Sequence, residues 1–126
     1  PDRLDLPLTF EATRAAGASL GSGVVLVLDR SVDVGDLLAR IAAFFRDESC
    51  GQCVPCRVGT VRQAESLARL RSGQPPGTRA DELALLKDIG QAMRDASICG
   101  LGQTASSAIE SALANLDVLP AEGLRL

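Results

Sequence analysis

Apolar residues recur every three to four positions along four stretches of the chain, which is the spacing of a helix with one buried face. These stretches run from about 33 to 47, 57 to 70, 80 to 96 and 104 to 116. A loop rich in Gly and Pro at 72–78 makes the second and third helices antiparallel. Helices of this length are unstable alone, so the pattern predicts a mainly α fold, a small four-helix bundle.

Local signals place the helix ends and faces. Asp33 is of the residue type that caps a helix N-terminus, and the second helix is expected to begin near Arg57. The segment 97–102 should break the chain before a fourth helix that begins near Thr104. The second helix is expected to turn an apolar stripe inward, formed by Val58, Val61, Ala64, Leu67, Ala68 and Leu70.

Residues 1–30 have a different pattern. A short helix is predicted over 8–16, and the turn at 21–23 ends it. Residues 24–29 form a continuous aliphatic and β-branched run, typical of one buried strand. We expect this short α/β remnant to pack against the helices or against residues upstream of Pro1. Because the chain opens with Pro and not Met, we expect it to be the C-terminal piece of a longer polypeptide.

Composition narrows the possible functions. The chain has 126 residues, a net charge of −3 and no basic block, which disfavours nucleic-acid binding. No apolar run approaches the roughly 20 residues that span a bilayer, and nothing resembles a signal peptide. We therefore expect no membrane insertion and a cytoplasmic location, which includes the inner face of the membrane within a complex.

The absence of histidine from the sequence removes a further set of functions. Histidine general acid/base catalysis, Rieske ligation and His-ligated zinc or haem all need an imidazole. Aromatic residues are limited to Phe10, Phe44 and Phe45, so Ala, Leu and Val must fill the core between closely packed helices.

Four cysteines carry the candidate chemistry. Cys50, Cys53 and Cys56 form a C-x2-C-x2-C run in a loop that contains Gly and Pro, and Cys99 lies at a second helix–loop junction. A cubane [4Fe–4S] cluster needs four thiolates, one per iron, and this spacing lets three sulfurs converge on it. The antiparallel connection returns Cys99 to the same end of the bundle. The pattern predicts a [4Fe–4S] cluster there, with these four cysteines as its metal ligands.

Other uses of the four thiols stay open. Structural zinc usually takes two separated cysteine pairs, which the three-plus-one division fits less well. Disulfides between such close neighbours would close loops too short to be useful, and no secretion signal accompanies them. A thiol-redox sensor would need an exposed cysteine of low pKa. A colourless protein containing one zinc would favour a structural interaction domain, whereas a brown protein would favour the cluster.

Residues around the cysteines have two interpretations each. Arg57 is either a cation that favours the reduced cluster or an exposed first-turn arginine. Gly100 and Gly102 either let backbone N–H groups approach the sulfurs or simply form a turn. The Gly21-x-Gly23 pair lacks a third glycine and precedes the predicted strand, so it is a plain turn and no dinucleotide loop.

Both cysteine segments carry a family resemblance. The segment ESCGQCVPCRVGT at 48–60, with SICGLGQTA at 97–105, resembles the NADH-binding flavoprotein subunit of NADH:quinone oxidoreductase. The same module is found in NAD-dependent formate dehydrogenases and in NAD(P)-reducing hydrogenases. The resemblance extends roughly from Leu6 to Leu116.

The resemblance implies a division of the chain and a role for it. Residues 1–30 would end a ubiquitin-like, soluble-ligand-binding-type domain, residues 31–119 would form the helical [4Fe–4S] domain, and residues 120–126 would be a tail. FMN and NAD(H) are expected on an absent upstream domain, since no glycine-rich flavin site is present here. The chain would relay single electrons to other iron–sulfur subunits of an NAD(P)-linked oxidoreductase, without being an enzyme by itself.

Overall fold

The computed structural model describes residues 4–21, 23–116 and 118–119. Within them the chain forms six helices, which are α1 Phe10–Ala15, α2 Val34–Asp47, α3 Val54–Ser72, α4 Arg79–Ala96, α5 Gly100–Thr104 and α6 Ser107–Asn115. The chain forms two compact units, and the boundary between them lies between Ser31 and Val32. The predicted mainly α class is confirmed, while the predicted tail at 120–126 lies outside the described residues.

The second unit is a bundle with α3 at its centre. Helix α3 packs against α2, α4 and α5, while α6 packs against α2 and α4. Burial of the side chains between these helices removes apolar surface from water, which is the main stabilising contribution to the bundle. The buried core residues are Leu38, Ala42, Leu67, Leu70, Leu86, Ile109, Ala112 and Leu119.

Side-chain and backbone caps fix where the long helices begin and end. The Asp33 carboxylate accepts a hydrogen bond from the Asp36 N–H at 3.0 Å and starts α2, as predicted. Thr78 and Asp81 form a reciprocal capping box at the start of α4. Gly73 ends α3 with φ = 66°, a left-handed conformation that glycine adopts at little cost.

Two predicted boundaries near the cysteines are wrong. Helix α3 begins at Val54 and not near Arg57, because Pro55 fits the first turn of a helix. The short helix α5 begins inside the predicted break at 97–102, and the predicted fourth helix is α6, which begins only after a buried turn formed by Ala105 and Ser106. A single periodic pattern does not reveal such a turn when its residues are helix formers.

The predicted inward stripe of α3 is correct only in part. Leu67 and Leu70 are buried, but Val58 and Val61 are 45% and 37% exposed, and Ala68 is exposed as well. Small and polar side chains are buried instead, namely Gly59, Thr60, Gln63 and Ser66. Because α3 is surrounded by three helices, small residues are needed to let its neighbours approach.

The predicted strand at 24–29 is wrong. Residues 24–28 are exposed and form no strand, and Val27 is 93% exposed. A strand needs a neighbouring strand to pair its backbone groups, and the part of the chain described here supplies none. Gly21 and Gly23 have φ of 50° and 79°, and the Gly23 N–H donates to Leu20 O at 2.8 Å, so this pair is part of a turn.

No helix among the described residues is long and apolar enough to cross a membrane.

A buried ion pair joins α3 to α4. The Arg69 Nε donates to Glu82 Oε1 at 3.1 Å, and the Glu82 side chain is 5% exposed. The hydrogen bonds from Arg69 hold the pKa of Glu82 below its ordinary value, in spite of burial. The charged carboxylate therefore stabilises the bundle.

We expect Glu82→Gln to lower the free energy of unfolding by about 1–2 kcal/mol near pH 7, since one partner of a buried pair loses its charge. Because the folded pKa is lowered, this contribution is complete above the ordinary carboxyl pKa and is lost as pH falls through the folded value. Denaturant unfolding of both proteins from about pH 7 to pH 3 measures it. Glu65→Gln, which breaks the exposed pair with Arg62, is the control. Parallel pH profiles for the parent and Glu82→Gln would contradict the assignment.

Candidate metal centre

The cysteines lie at the N-terminal ends of helices. Cys53 is the N-cap of α3, and Cys99 is the N-cap of α5, and neither side chain makes a capping hydrogen bond. Cys56 lies in the first turn of α3, and Cys50 precedes this helix in the loop. The first N–H groups of a helix point towards its N-terminus, where partial positive charge favours thiolates. The N–H groups in the first turns of α3 and α5 are therefore available as donors to the cysteine sulfurs.

The loop between Cys50 and Cys53 is held by its neighbours. Gly51 has φ = 75°, a conformation that favours glycine. The Gly51 N–H donates to Ser49 Oγ at 3.3 Å, and Arg57 Nη1 donates to Gly51 O at 3.1 Å. This contact shows that the exposed Arg57 guanidinium holds the cysteine loop, while an effect of its charge on a bound cluster stays a prediction.

Cys53 joins the first cysteine segment to the second. The N–H of Ile98, with that of Cys56, lowers the pKa of the Cys53 thiol below its ordinary value. Ser97 contributes in the same direction, while burial opposes it. Since Ile98 directly precedes Cys99, the first turn of α3 lies beside the second cysteine segment.

Gly102 permits this close approach. A Cβ at this position would lie 2.6 Å from Ser97 Cβ and 2.9 Å from Cys56 Cβ, which is closer than side chains can pack. At Gly100, by contrast, an added Cβ would meet nothing within 4 Å. Gly102 is therefore required by the contact between α5 and α3, whereas Gly100 is not.

The four predicted ligands differ in exposure. Cys56 is buried, Cys53 is half-buried, and Cys50 and Cys99 are exposed, and all four are free thiols. No three Cys, Asp or Glu side chains in the described residues are arranged to hold a single metal ion. The two cysteine segments therefore lie side by side, but their thiols do not converge on the position of a single metal ion.

The donor set fits a thiolate-bound cluster. Its potential ligands are four thiols, and thiolates select iron–sulfur clusters and zinc. The lowered pKa of Cys53 favours the thiolate form that a metal needs. Two residues that sequence reasoning missed also belong to the site, Ser49 and Ser97, each of which comes shortly before a predicted ligand. Their position beside Cys50 and Cys99 was the available signal.

The fold and the site define a class of protein, a small helical domain in which two cysteine segments lie at adjacent helix ends. Comparison with known protein families shows which family of this class the chain belongs to. The model of the "NADH-ubiquinone oxidoreductase-F iron-sulfur binding region" matches residues 36–117, and the chain belongs to this family. The resemblance seen in the two cysteine segments is thereby confirmed, and membership supports a role in electron transfer.

Relatives place this region within longer proteins. The chain is 39% identical over 114 residues to the HndC subunit of the NADP-reducing hydrogenase of Solidesulfovibrio fructosivorans. The aligned region covers 87% of this chain and 22% of that protein. The chain is 36% identical over 106 residues to the F subunit of the NADH-quinone oxidoreductase of Rickettsia rickettsii (strain Sheila Smith), covering 84% and 24%. The chain therefore spans less than a quarter of the length of these relatives.

A solved structure has the same fold. The chain superposes on an NAD+-reducing [NiFe]-hydrogenase in the H2-reduced state with a TM-score of 0.74 and 37% sequence identity. The superposition covers 90% of this chain and 18% of that chain.

We expect Gly102→Ala to separate α5 from the first turn of α3, because the new methyl group overlaps Ser97 and Cys56. The variant should hold clearly less metal per chain and lose about 1–3 kcal/mol of unfolding free energy. Metal analysis and denaturant unfolding measure the two effects.

Gly100→Ala is the matched control, since it adds the same methyl group to the same short helix in open space. It should keep its metal and be as stable as the parent or slightly more so. Equal metal content in the two variants would show that the α5–α3 contact does not organise the site.

Proposed function

We propose that this chain is an electron-transfer module that holds one [4Fe–4S] cluster through the thiolates of Cys50, Cys53, Cys56 and Cys99. The observation that carries the proposal is the close approach of Gly102 to Ser97 and Cys56, which puts the C-x2-C-x2-C segment beside the segment of the fourth cysteine. Membership in an iron–sulfur binding family supports the same chemistry.

Each part of the site has a role in this proposal. The N–H groups of Ile98 and Cys56 stabilise the Cys53 thiolate, and Cys56 contributes a ligand that water reaches poorly. Gly51 and Arg57 hold the loop that carries Cys50. A cluster bound here supplies one-electron chemistry. The exposed positions of Cys50 and Cys99 leave that side of the site accessible to a redox partner.

We propose that the electron donor is a flavin, FMN, reduced by NAD(H) on a part of the protein outside these 126 residues. The relatives are named as subunits of an NADH-quinone oxidoreductase and an NADP-reducing hydrogenase, and this chain covers 22–24% of them. Electrons would leave towards other iron–sulfur subunits of the same complex. Residues 31–119 are the proposed cluster domain, and a cytoplasmic location suits a partner that uses NAD(H).

Replacement of any one of the four cysteines by serine should remove the cluster or convert it to a smaller one, because one iron loses its thiolate ligand. Iron and sulfide content and EPR spectra after reduction with dithionite measure the outcome. Ala108→Ser, at an exposed position of α6, controls for introducing a serine. A complete [4Fe–4S] signal in Cys99→Ser would refute that ligand, and a colourless parent containing one zinc would support a structural zinc domain instead.

These 126 residues alone should not oxidise NADH. Hydride transfer delivers two electrons and needs an acceptor such as a flavin, whereas a single cluster accepts one electron. Dithionite should reduce the loaded protein, and NADH should do so only after a flavoprotein partner is added. Anaerobic absorbance of the cluster band follows both reactions. Rapid bleaching by NADH without a flavoprotein would disprove the proposed division of roles.

A further inference from the structure

Two serine hydroxyls lie beside predicted ligand sulfurs. Ser49 Oγ is 3.3 Å from Cys56 Sγ, within the range of a hydrogen bond to sulfur. Ser97 is 6% exposed, and its side chain and that of Cys56 both border Gly102. One serine comes from each cysteine segment, and both lie beside Cys56 of the first segment.

The hydroxyl proton of Ser49 is free to be donated to sulfur. A serine hydroxyl has one proton to donate and can accept two hydrogen bonds. Ser49 Oγ already accepts from the Gly51 N–H at 3.3 Å, so its own proton is available. A cysteine that binds metal is a thiolate without a proton. When Cys56 is a ligand, the hydrogen bond must therefore run from Ser49 to the sulfur.

Ser97 has a buried hydroxyl in need of an acceptor. Its Oγ is inaccessible to water and has no partner with hydrogen-bond geometry among the described residues. The close contact with Gly102 restricts its movement. An unpaired buried hydroxyl is costly, and a cysteine sulfur at the adjacent start of α3 would satisfy it as an acceptor.

On the basis of the proposed function, we propose that Ser49 donates a hydrogen bond to the sulfur of Cys56 and that Ser97 donates one to a ligand sulfur of the first cysteine segment. Both hydrogen bonds would raise the reduction potential of the bound cluster. Reduction adds one electron and hence one negative charge, which a donor at the sulfur stabilises more than it stabilises the oxidised form. Both serines act through the ligands, so they are positioning residues and not ligands themselves.

A redox titration of the loaded protein tests this, with dithionite as the electron source and EPR as the readout. Ser49→Ala and Ser97→Ala should each shift the potential to more negative values. At a fixed poise the reduced-to-oxidised ratio should fall by about threefold to tenfold, where tenfold is about 59 mV for a one-electron couple. Ser49→Thr keeps the hydroxyl at a half-buried position and should retain the parent potential.

Ser66→Ala is the matched control, because Ser66 is fully buried but lies ten residues after Cys56, about 15 Å further along α3. Its potential should equal that of the parent. Unchanged potentials in both Ser49→Ala and Ser97→Ala, with normal iron content, would overturn this inference and leave the proposed function intact. If Ser97→Ala loses its cluster, the comparison of Ser49→Ala with Ser49→Thr decides. A parent without an iron–sulfur cluster would overturn the proposed function and this inference together.

Discussion

The close approach of α5 to the first turn of α3 is the contact on which the candidate site depends. Cys99 follows Cys56 by 43 residues in the sequence. Contact between helix ends is therefore needed to bring the two cysteine segments together. Gly102 allows α5 to pack closely against the Cβ of Cys56, and the Ile98 N–H lowers the pKa of the Cys53 thiol. Because α5 has only five residues, it cannot hold this position by its own stability. The surrounding bundle must hold it.

The central helix α3 provides this support through its polar and small residues. Gln63 Nε2 donates to Ala105 O at 3.1 Å and so fixes the turn that follows α5. Gly59 leaves room for Met93 of α4, since a Cβ there would lie 2.5 Å from Met93 Cγ. The residues that interrupt the apolar pattern of α3 are thus the ones that connect the core to the cysteine end. The hydrogen bond to Ala105 O offsets the cost of burying the polar Gln63 side chain.

Much of this arrangement could be predicted from sequence, and the exceptions have physical causes. Helix periodicity and the Asp33 cap predicted α2 correctly, because both signals depend on nearby residues alone. The prediction for the buried face of α3 is partly wrong, since a helix surrounded by neighbours buries what fits and not what is most apolar, as Val58 and Gln63 show. The isolated run at 24–29 has the pattern of a strand, but strand formation depends on a partner that a local pattern does not reveal. The ligand role that the spacing of the four cysteines predicts stays a prediction, and this spacing gave no information about Ser49 and Ser97.

The site stabilises thiolate charge with dipoles. The N–H groups of Ile98 and Cys56 contribute most to the lowered pKa of the Cys53 thiol, and Ser97 contributes in the same direction. Arg57, the cation next in sequence to Cys56, directs its guanidinium to a loop carbonyl. Dipoles fixed by helix ends stabilise an added negative charge without a neutralising ion that must rearrange when the charge is removed. Such an environment suits a centre that must both accept and release an electron, and the close contact between α5 and α3 holds these dipoles beside the cysteines.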